Sequence, residues 1–144
     1  MLMEPNRTLV RRAVDEFYNP GNLAAADDLF AANYVNHDPN APEATNLAGL
    51  KALHAARIAA FPDQKVTIEG MIAEGDMVAK RWSWHGTHLG DFFGVPPSGK
   101  AVSLEGVTLY RIADGKIAEC WWGYTTLGLL QQIGAIPMPE QAGA

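Results

Sequence analysis

Asp114-Gly115-Lys116-Ile117-Ala118-Glu119-Cys120-Trp121-Trp122 begins with two residues that dictate a reversal of the chain. Asp-Gly between two apolar runs is a hairpin signal, because a two-residue primed turn needs positive φ at both central positions. The run before it is Val107-Thr108-Leu109-Tyr110-Arg111-Ile112, and the run after it is 117–122. Both read as strands. Their period of two sets Cys120, Trp122 and Tyr124 on one face and Glu119 on the other. Thr108 and Tyr110 are expected to meet the first set from the neighbouring strand.

Upstream of the hairpin the period changes. Leu9, Val10, Ala13, Val14 and Phe17 fall at helical spacing, and Asn19-Pro20-Gly21 stops that helix. Asn22 is placed to cap a second, short helix whose Leu23, Ala26 and Phe30 share a face. Tyr34-Val35-Asn36-His37 reads as a brief extended segment before the loop Asp38-Pro39-Asn40-Ala41-Pro42. A third helix begins near Thr45 or Asn46, aligns Leu47, Leu50, His54, Ile58 and Phe61, and ends at Pro62. Strands over 66–72 and 77–84 flank the turn Glu74-Gly75-Asp76. A glycine-rich loop, 86–100, comes next with Phe92 and Phe93 at its centre, and the tail from Leu127 forms a short helix.

Three helices followed by an antiparallel, strongly curved sheet make an α+β fold. Such a sheet, closed on one side by helices, leaves a conical space whose wide end can line a ligand cavity. The 86–100 loop is placed to act as a flap over it. The alternative is that Phe92 and Phe93 cap the core or sit at a dimer contact.

The 144 residues suit one domain spanning 1–144, large enough to bury its own core. A hydrophobic content of 48% with 19% charged residues is that of a soluble globular protein. A net charge of -5 with no Lys/Arg cluster argues against nucleic acid as a partner. The single cysteine, Cys120, excludes an internal disulfide and fits a reducing compartment. There is no basic-then-apolar leader pattern and no apolar run of spanning length. A cytoplasmic location without a membrane partner is the expectation. With no Gly-x-Gly-x-x-Gly, phosphate loop or flavin signature, no cofactor is expected.

The Asp114-Gly115 hairpin, the glycine-rich segment before it and the tail Leu127-Gly128-Leu129-Leu130-Gln131-Gln132-Ile133-Gly134 together resemble the SnoaL-like polyketide cyclases, of the nuclear-transport-factor-like superfamily. The resemblance covers nearly the whole chain. It implies a cone-shaped α+β barrel, with three N-terminal helices packed on a curved, mainly antiparallel sheet. It also implies where the cyclase chemistry belongs. In those cyclases the general acid/base is an aspartate eight residues after the turn aspartate, partnered by a histidine six residues before it. Trp122 and Thr108 occupy those positions here. An intramolecular aldol closure needs a base for the proton α to a carbonyl and an acid for the developing oxyanion. Neither an indole nor an alcohol titrates near neutral pH, and Glu119 faces the other way. What the resemblance then implies is a lining of Trp122, Cys120, Tyr124 and Thr108 that suits a planar ring system. The competing reading is that Trp122 plugs the cone.

Other groups carry their own alternatives. His37, followed by Asp38, lies near the expected cavity mouth and can serve as acid or base near neutral pH. His54 sits on an apolar stripe and reads as a satisfied core histidine. His88 reads either as a polar group at the cavity rim or as a loop hydrogen-bonding residue. His85 and His88 face opposite sides of a strand unless the chain bends at Gly86, so a metal site is not expected. Trp82 and Trp84 share one face, which is either a ligand wall or a sheet-to-sheet homodimer interface. Cys120 has no visible activating partner and is not expected to be a nucleophile.

Three functions remain open under the resemblance. A branch of the family that has lost the acid/base pair is linked to cofactor-free hydroxylation of anthracycline-type aglycones. In that reading the chain is a tailoring enzyme of aromatic polyketide biosynthesis. His37, His88 or Tyr110 then donates a proton to a peroxy species, and Trp82, Phe92, Phe93, Thr108, Cys120, Trp122 and Tyr124 hold a hydrophobic aromatic substrate. In the second reading it is a cyclase with a different proton relay, through His37. In the third it is a non-catalytic binding protein or scaffold dimer.

Overall fold

A computed structural model describes residues 3–137. Its helices are α1 (Met3–Arg12), α2 (Ala26–Leu29), α3 (Leu47–Ala60) and α4 (Thr126–Gln132). Its strands are β1 (Phe30–His37), β2 (Lys65–Glu74), β3 (Met77–Thr87), β4 (Ala101–Ala113) and β5 (Lys116–Gly123). The hairpin between β4 and β5 has the primed geometry its residues require, with φ +51° at Asp114 and +73° at Gly115. The β2–β3 hairpin turns at Gly75, φ +58°, and both flanking strands outrun their expected lengths.

The strands form one open sheet in the order β1-β5-β4-β3-β2. All pairs are antiparallel except β1 with β5, which run parallel and set Asn36 beside Cys120 and His37 beside Trp121. The fold is therefore α+β, with a mainly antiparallel sheet that does not close on itself.

The helices cover one face. The first continues past Arg12 as a π-helical stretch, Ala13–Tyr18, which buries Ala13, Val14, Phe17 and Tyr18 before Asn19 and Pro20 end it. Asn22 is not the expected helix cap: its side chain makes no cap bond, and a single tight turn, Leu23–Ala25, leads into α2. Phe30 has already left that helix and opens β1, because its buried ring is drawn into the core beside Phe17 and Tyr34. Asn46 does cap α3, accepting a hydrogen bond from the Gly49 amide at 2.9 Å.

Two apolar clusters fill the space between helices and sheet. One gathers Leu9, Val10, Phe17, Phe30, Tyr34, Tyr110, Ile117 and Cys120. The other gathers Phe61, Trp82, Trp84, Phe92, Val102, Leu129 and Ile133. No helix among the described residues is long and apolar enough to cross a membrane.

Candidate active site

Parity along β3 decides which side of the sheet faces the helices. Val78, Lys80, Trp82 and Trp84 are buried, while Arg81 and His85 are exposed. Both tryptophans therefore point inward, and a lysine points inward with them. On β4 the inward set includes Thr108 and Tyr110, and on β5 it includes Cys120 and Trp122. Strand register pairs Lys80 with Thr108, Thr108 with Trp122, and Tyr110 with Cys120. Lys80, Thr108 and Trp122 thus form one row across three strands.

A cavity opens where the two apolar clusters meet. Its wall includes Tyr18, His54, Arg57, Lys80, Trp82 and Trp122, and Tyr124, Phe92 and Phe93 stand on it as well. The indole N–H groups of the three tryptophans on the wall each have a protein acceptor. Trp82 donates to Thr108 Oγ1 at 2.9 Å, Trp84 to Gln64 Oε1 at 3.0 Å and Trp122 to Asn36 Oδ1 at 2.8 Å. Their carbon rings are what a guest would meet. Trp82 lies so close over Gly106 that a Cβ there would sit 2.4 Å from its ring. Trp122 stands on the wall of the cavity, its ring in edge contact with Tyr18 and Tyr124. The walls are close together and leave a cavity of about 40 Å³, room for a few waters.

Lys80 is a site residue that strand periodicity alone did not single out. It is 1% exposed, the sole charged-type side chain on the buried parity of β3. Its Nζ lies 5.2 Å from the ring centres of Tyr18 and Tyr110 and 6.0 Å from that of Trp122. No carboxylate or carbonyl receives a bond from it among the described residues. Burial lowers its pKa to about 7, with Cys120 opposing weakly. The sequence did contain the signal: position 80 shares parity with Val78, Trp82 and Trp84, so an inward tryptophan pair requires an inward lysine.

His54 also stands on the wall. Its Nε2–H donates to the Tyr18 carbonyl at 2.9 Å, which leaves Nδ1 as a buried acceptor with no partner. Burial, then nearby Arg57, lowers its pKa to about 4, so the ring is neutral. The Tyr18 and Tyr110 hydroxyls are likewise buried and unpartnered. At the mouth, Tyr124 donates to Asp38 Oδ2 at 2.8 Å and receives a long contact from Arg57 at 3.4 Å.

Several expected site residues lie elsewhere. His37 is on the outer face of β1, with its Nε2 bonded to Glu119 at 2.6 Å and its ring stacked on Trp121. An extended strand alternates sides, and buried Asn36 takes the inward position. Glu119 is outward too, held below the usual carboxylate range by His37 and then Arg111. His88 is fully buried but off the cavity wall. It ties the 88–100 loop together, its Nδ1 accepting from the Ser98 amide at 3.1 Å and lying 2.9 Å from the Ser98 hydroxyl. Tyr110, Thr108 and Cys120 lie behind the lining: Tyr110 under Lys80, Thr108 bonded to Trp82, and Cys120 buried with its pKa pushed up to about 12. Trp82, Phe92, Phe93, Trp122 and Tyr124 do share the cavity.

The 88–100 loop crosses the mouth. Leu89 and Gly90 both donate to the Ala60 carbonyl at the end of α3, and Gly90 passes so close that a Cβ would meet the Ala59 oxygen at 2.3 Å. Beyond that anchor Phe92 is buried, whereas Phe93, at φ +48°, is exposed. A bulky residue with positive φ is strained, and here the strain sits at the cavity rim.

Comparison with known proteins agrees with this architecture. Residues 8–133 match the model of the SnoaL-like polyketide cyclase family. Aklanonic acid methyl ester cyclase DauD of Streptomyces sp. (strain C5) is 33% identical over 98% of this chain and 88% of its own length. Aklanonic acid methyl ester cyclase AcmA of Streptomyces galilaeus is 33% identical over 91% of each. Among solved structures, AclR of Streptomyces galilaeus, described as a candidate hydroxylase, superposes with a TM-score of 0.86 at 28% identity, covering 97% of this chain and 87% of that one. An α+β cone with its lining on the inner sheet face, together with a family match over most of its length, makes this chain a member of the SnoaL-like polyketide cyclase family.

Proposed function

We propose that this protein closes a ring in an aromatic polyketide by intramolecular aldol condensation, without a cofactor, and that the Lys80 amine carries the reactivity. The observation that supports this most is the row Lys80–Thr108–Trp122. The two positions that hold the acid/base pair in the resembling cyclases are next to each other, and an ionisable group stands in the next place of the same row. An amine with a pKa near 7 is present in both protonation states at working pH, which is what proton transfer needs. The naming of the three similar curated proteins as aklanonic acid methyl ester cyclases points the same way.

The substrate is a flat hydrophobic compound gripped between Trp82, Trp122, Tyr124 and the two loop phenylalanines. Ligand pockets for such molecules run to about 300–1,000 Å³, well beyond the space between the walls. Entry therefore requires the 88–100 loop to lift, pivoting beyond its anchor on Ala60. The decisive assay offers an anthraquinone-bearing β-keto ester to the protein and follows ring closure by chromatography. Lys80→Met is expected to lower kcat by at least a hundredfold. Tight binding with no product on long incubation would point instead to a ligand carrier.

Cofactor-free hydroxylation is the second reading, and the likeness to AclR favours it. Against it, His37, His88 and Tyr110 all stand off the cavity wall, so the expected proton donors are misplaced. Product formation that stops in the absence of oxygen would establish it.

The outer sheet face suits self-association. Ile72, Ala79, Leu109 and Trp121 form a row across β2 to β5, and Ile72 and Leu109 are exposed. A homodimer through this face covers them.

A further inference from the structure

We propose that the Lys80 amine acts as a nucleophile, condensing with a ketone of the substrate to form a protonated imine inside the ring cage. This rests on the cyclase reading and says how that chemistry runs without an acid for the enolate oxygen. A conventional aldol needs two groups, a base for the α-proton and an acid for the enolate oxygen. Thr108 and Trp122 supply neither, and the Tyr18 and Tyr110 hydroxyls are held protonated by burial. An imine removes the need for the acid, because the nitrogen itself becomes the electron sink; only a base for the α-proton is still required.

The surroundings of Nζ fit that role. It makes no hydrogen bond or ion pair among the described residues that would occupy its lone pair or hold it as an ammonium. Three aromatic faces surround it at 5.2, 5.2 and 6.0 Å, and these stabilise a cation without fixing its protons. A protonated imine is such a cation. Depression of a lysine pKa in an apolar site, which applies here, is also the usual way an amine is made nucleophilic at neutral pH. Its cage is built from three separate segments: Tyr18 from the end of the first helix, Tyr110 from β4 and Trp122 from β5.

The chemistry balances. The Nζ lone pair forms a C–N bond at the ketone carbon, and the ketone oxygen leaves as water. The α-carbon loses a proton and the nitrogen keeps one, which gives an enamine. Its carbon attacks the second carbonyl, the C–C bond forms, and the α-proton, held meanwhile by a base, passes to the new hydroxyl oxygen. Water then hydrolyses the imine, restoring the ketone and the amine, so the water released is consumed and no oxidant is required. His54 Nδ1, neutral and unpartnered on the same wall, is the acceptor nearest in character for the α-proton.

Acetylacetone is the probe, since a 1,3-diketone and a neutral amine condense to a conjugated enaminone with its own near-ultraviolet absorption. At pH 7.5 an ordinary lysine is roughly a thousandth neutral, so Lys80 should label at least a hundredfold faster than Lys65 and Lys100. Peptide mass analysis is expected to place one diketone, less one water, on Lys80. Lys80→Met and Lys80→Arg, each checked for native circular dichroism, should show no new absorbance. Equal labelling of all lysines overturns the proposal. So does an unlabelled Lys80 in a protein that cyclises polyketide, and if Lys80→Met is then inactive the residue is only a proton carrier and the cyclase reading stands. Labelling at Lys80 with no polyketide cyclised supports the nucleophile and sinks the cyclase reading.

Discussion

Replacing Lys80 by Met should make the protein more stable while abolishing its chemistry, and the size of the gain can be worked from the fold. A lysine in the unfolded chain titrates at 10.5, and burial brings Lys80 to about 7. At about 1.4 kcal/mol per pH unit this is a penalty of about 5 kcal/mol for holding the ammonium inside. Methionine nearly matches the stem in length and has no charge to desolvate, but it leaves a gap at the amine that costs about 2 kcal/mol. Lys80→Met is therefore expected to gain about 3 kcal/mol at pH 6, a large share of a domain's stability.

Proton counting fixes the sign. Because the folded pKa is depressed, between pH 7 and 10.5 the unfolded chain binds more protons than the folded one, so wild-type stability rises with pH across that window. The penalty is complete below pH 7 and gone above 10.5. The methionine variant lacks this slope, so its advantage shrinks steadily as pH rises. The groups facing Nζ are Tyr18 from the first helix, Tyr110 from β4 and Cys120 from β5, all raised by burial and neutral through about pH 9. Urea unfolding of both proteins at pH 6, 7.5 and 9 measures the gap. A variant less stable than wild type at pH 6, or a gap that ignores pH, refutes the burial argument and with it the reactive amine.

Rebuilding the usual pair with Trp122→Asp and Thr108→His should lower activity, because a carboxylate beside Nζ favours the ammonium; acetylacetone labelling is expected to slow at least tenfold. A gain of cyclase activity in that double variant would mean the row works through position 122 after all. Gly106→Ala drives a methyl group into the Trp82 ring and the Gly123 carbonyl, with an expected loss of about 1–3 kcal/mol in thermal unfolding. Leu109→Lys should weaken the proposed pairing of two copies through the outer sheet face in analytical ultracentrifugation, with cyclisation retained if each cone is complete in itself.

Much of the scaffold is legible in local chemistry. Asp114-Gly115 and Gly75 make turns because these residues accept positive φ cheaply. Asn46 starts α3 because its side chain can satisfy a free amide. Period-two parity correctly separates Glu119 from Cys120 and Trp122, since a strand cannot do otherwise. Phe30 departs from its expected helix because an apolar ring fits a helical stripe as well as a buried strand, and the neighbours that choose between them are Phe17 and Tyr34.

What alternation could not supply was an absolute side. It ties Lys80 to Trp82 and Trp84 without saying whether helices or water cover that face. That choice is made by packing at long range, by α1, α3 and the loop on Ala60. Likewise His37 and Glu119 lie 82 residues apart, and nothing local announces that β1 runs parallel to β5 and turns the imidazole outward. Spacing along the chain carried the family, because hairpins and caps are short-range events. The identity of the reactive group came from the sheet order, because desolvating an amine takes rings from three distant segments closing around it.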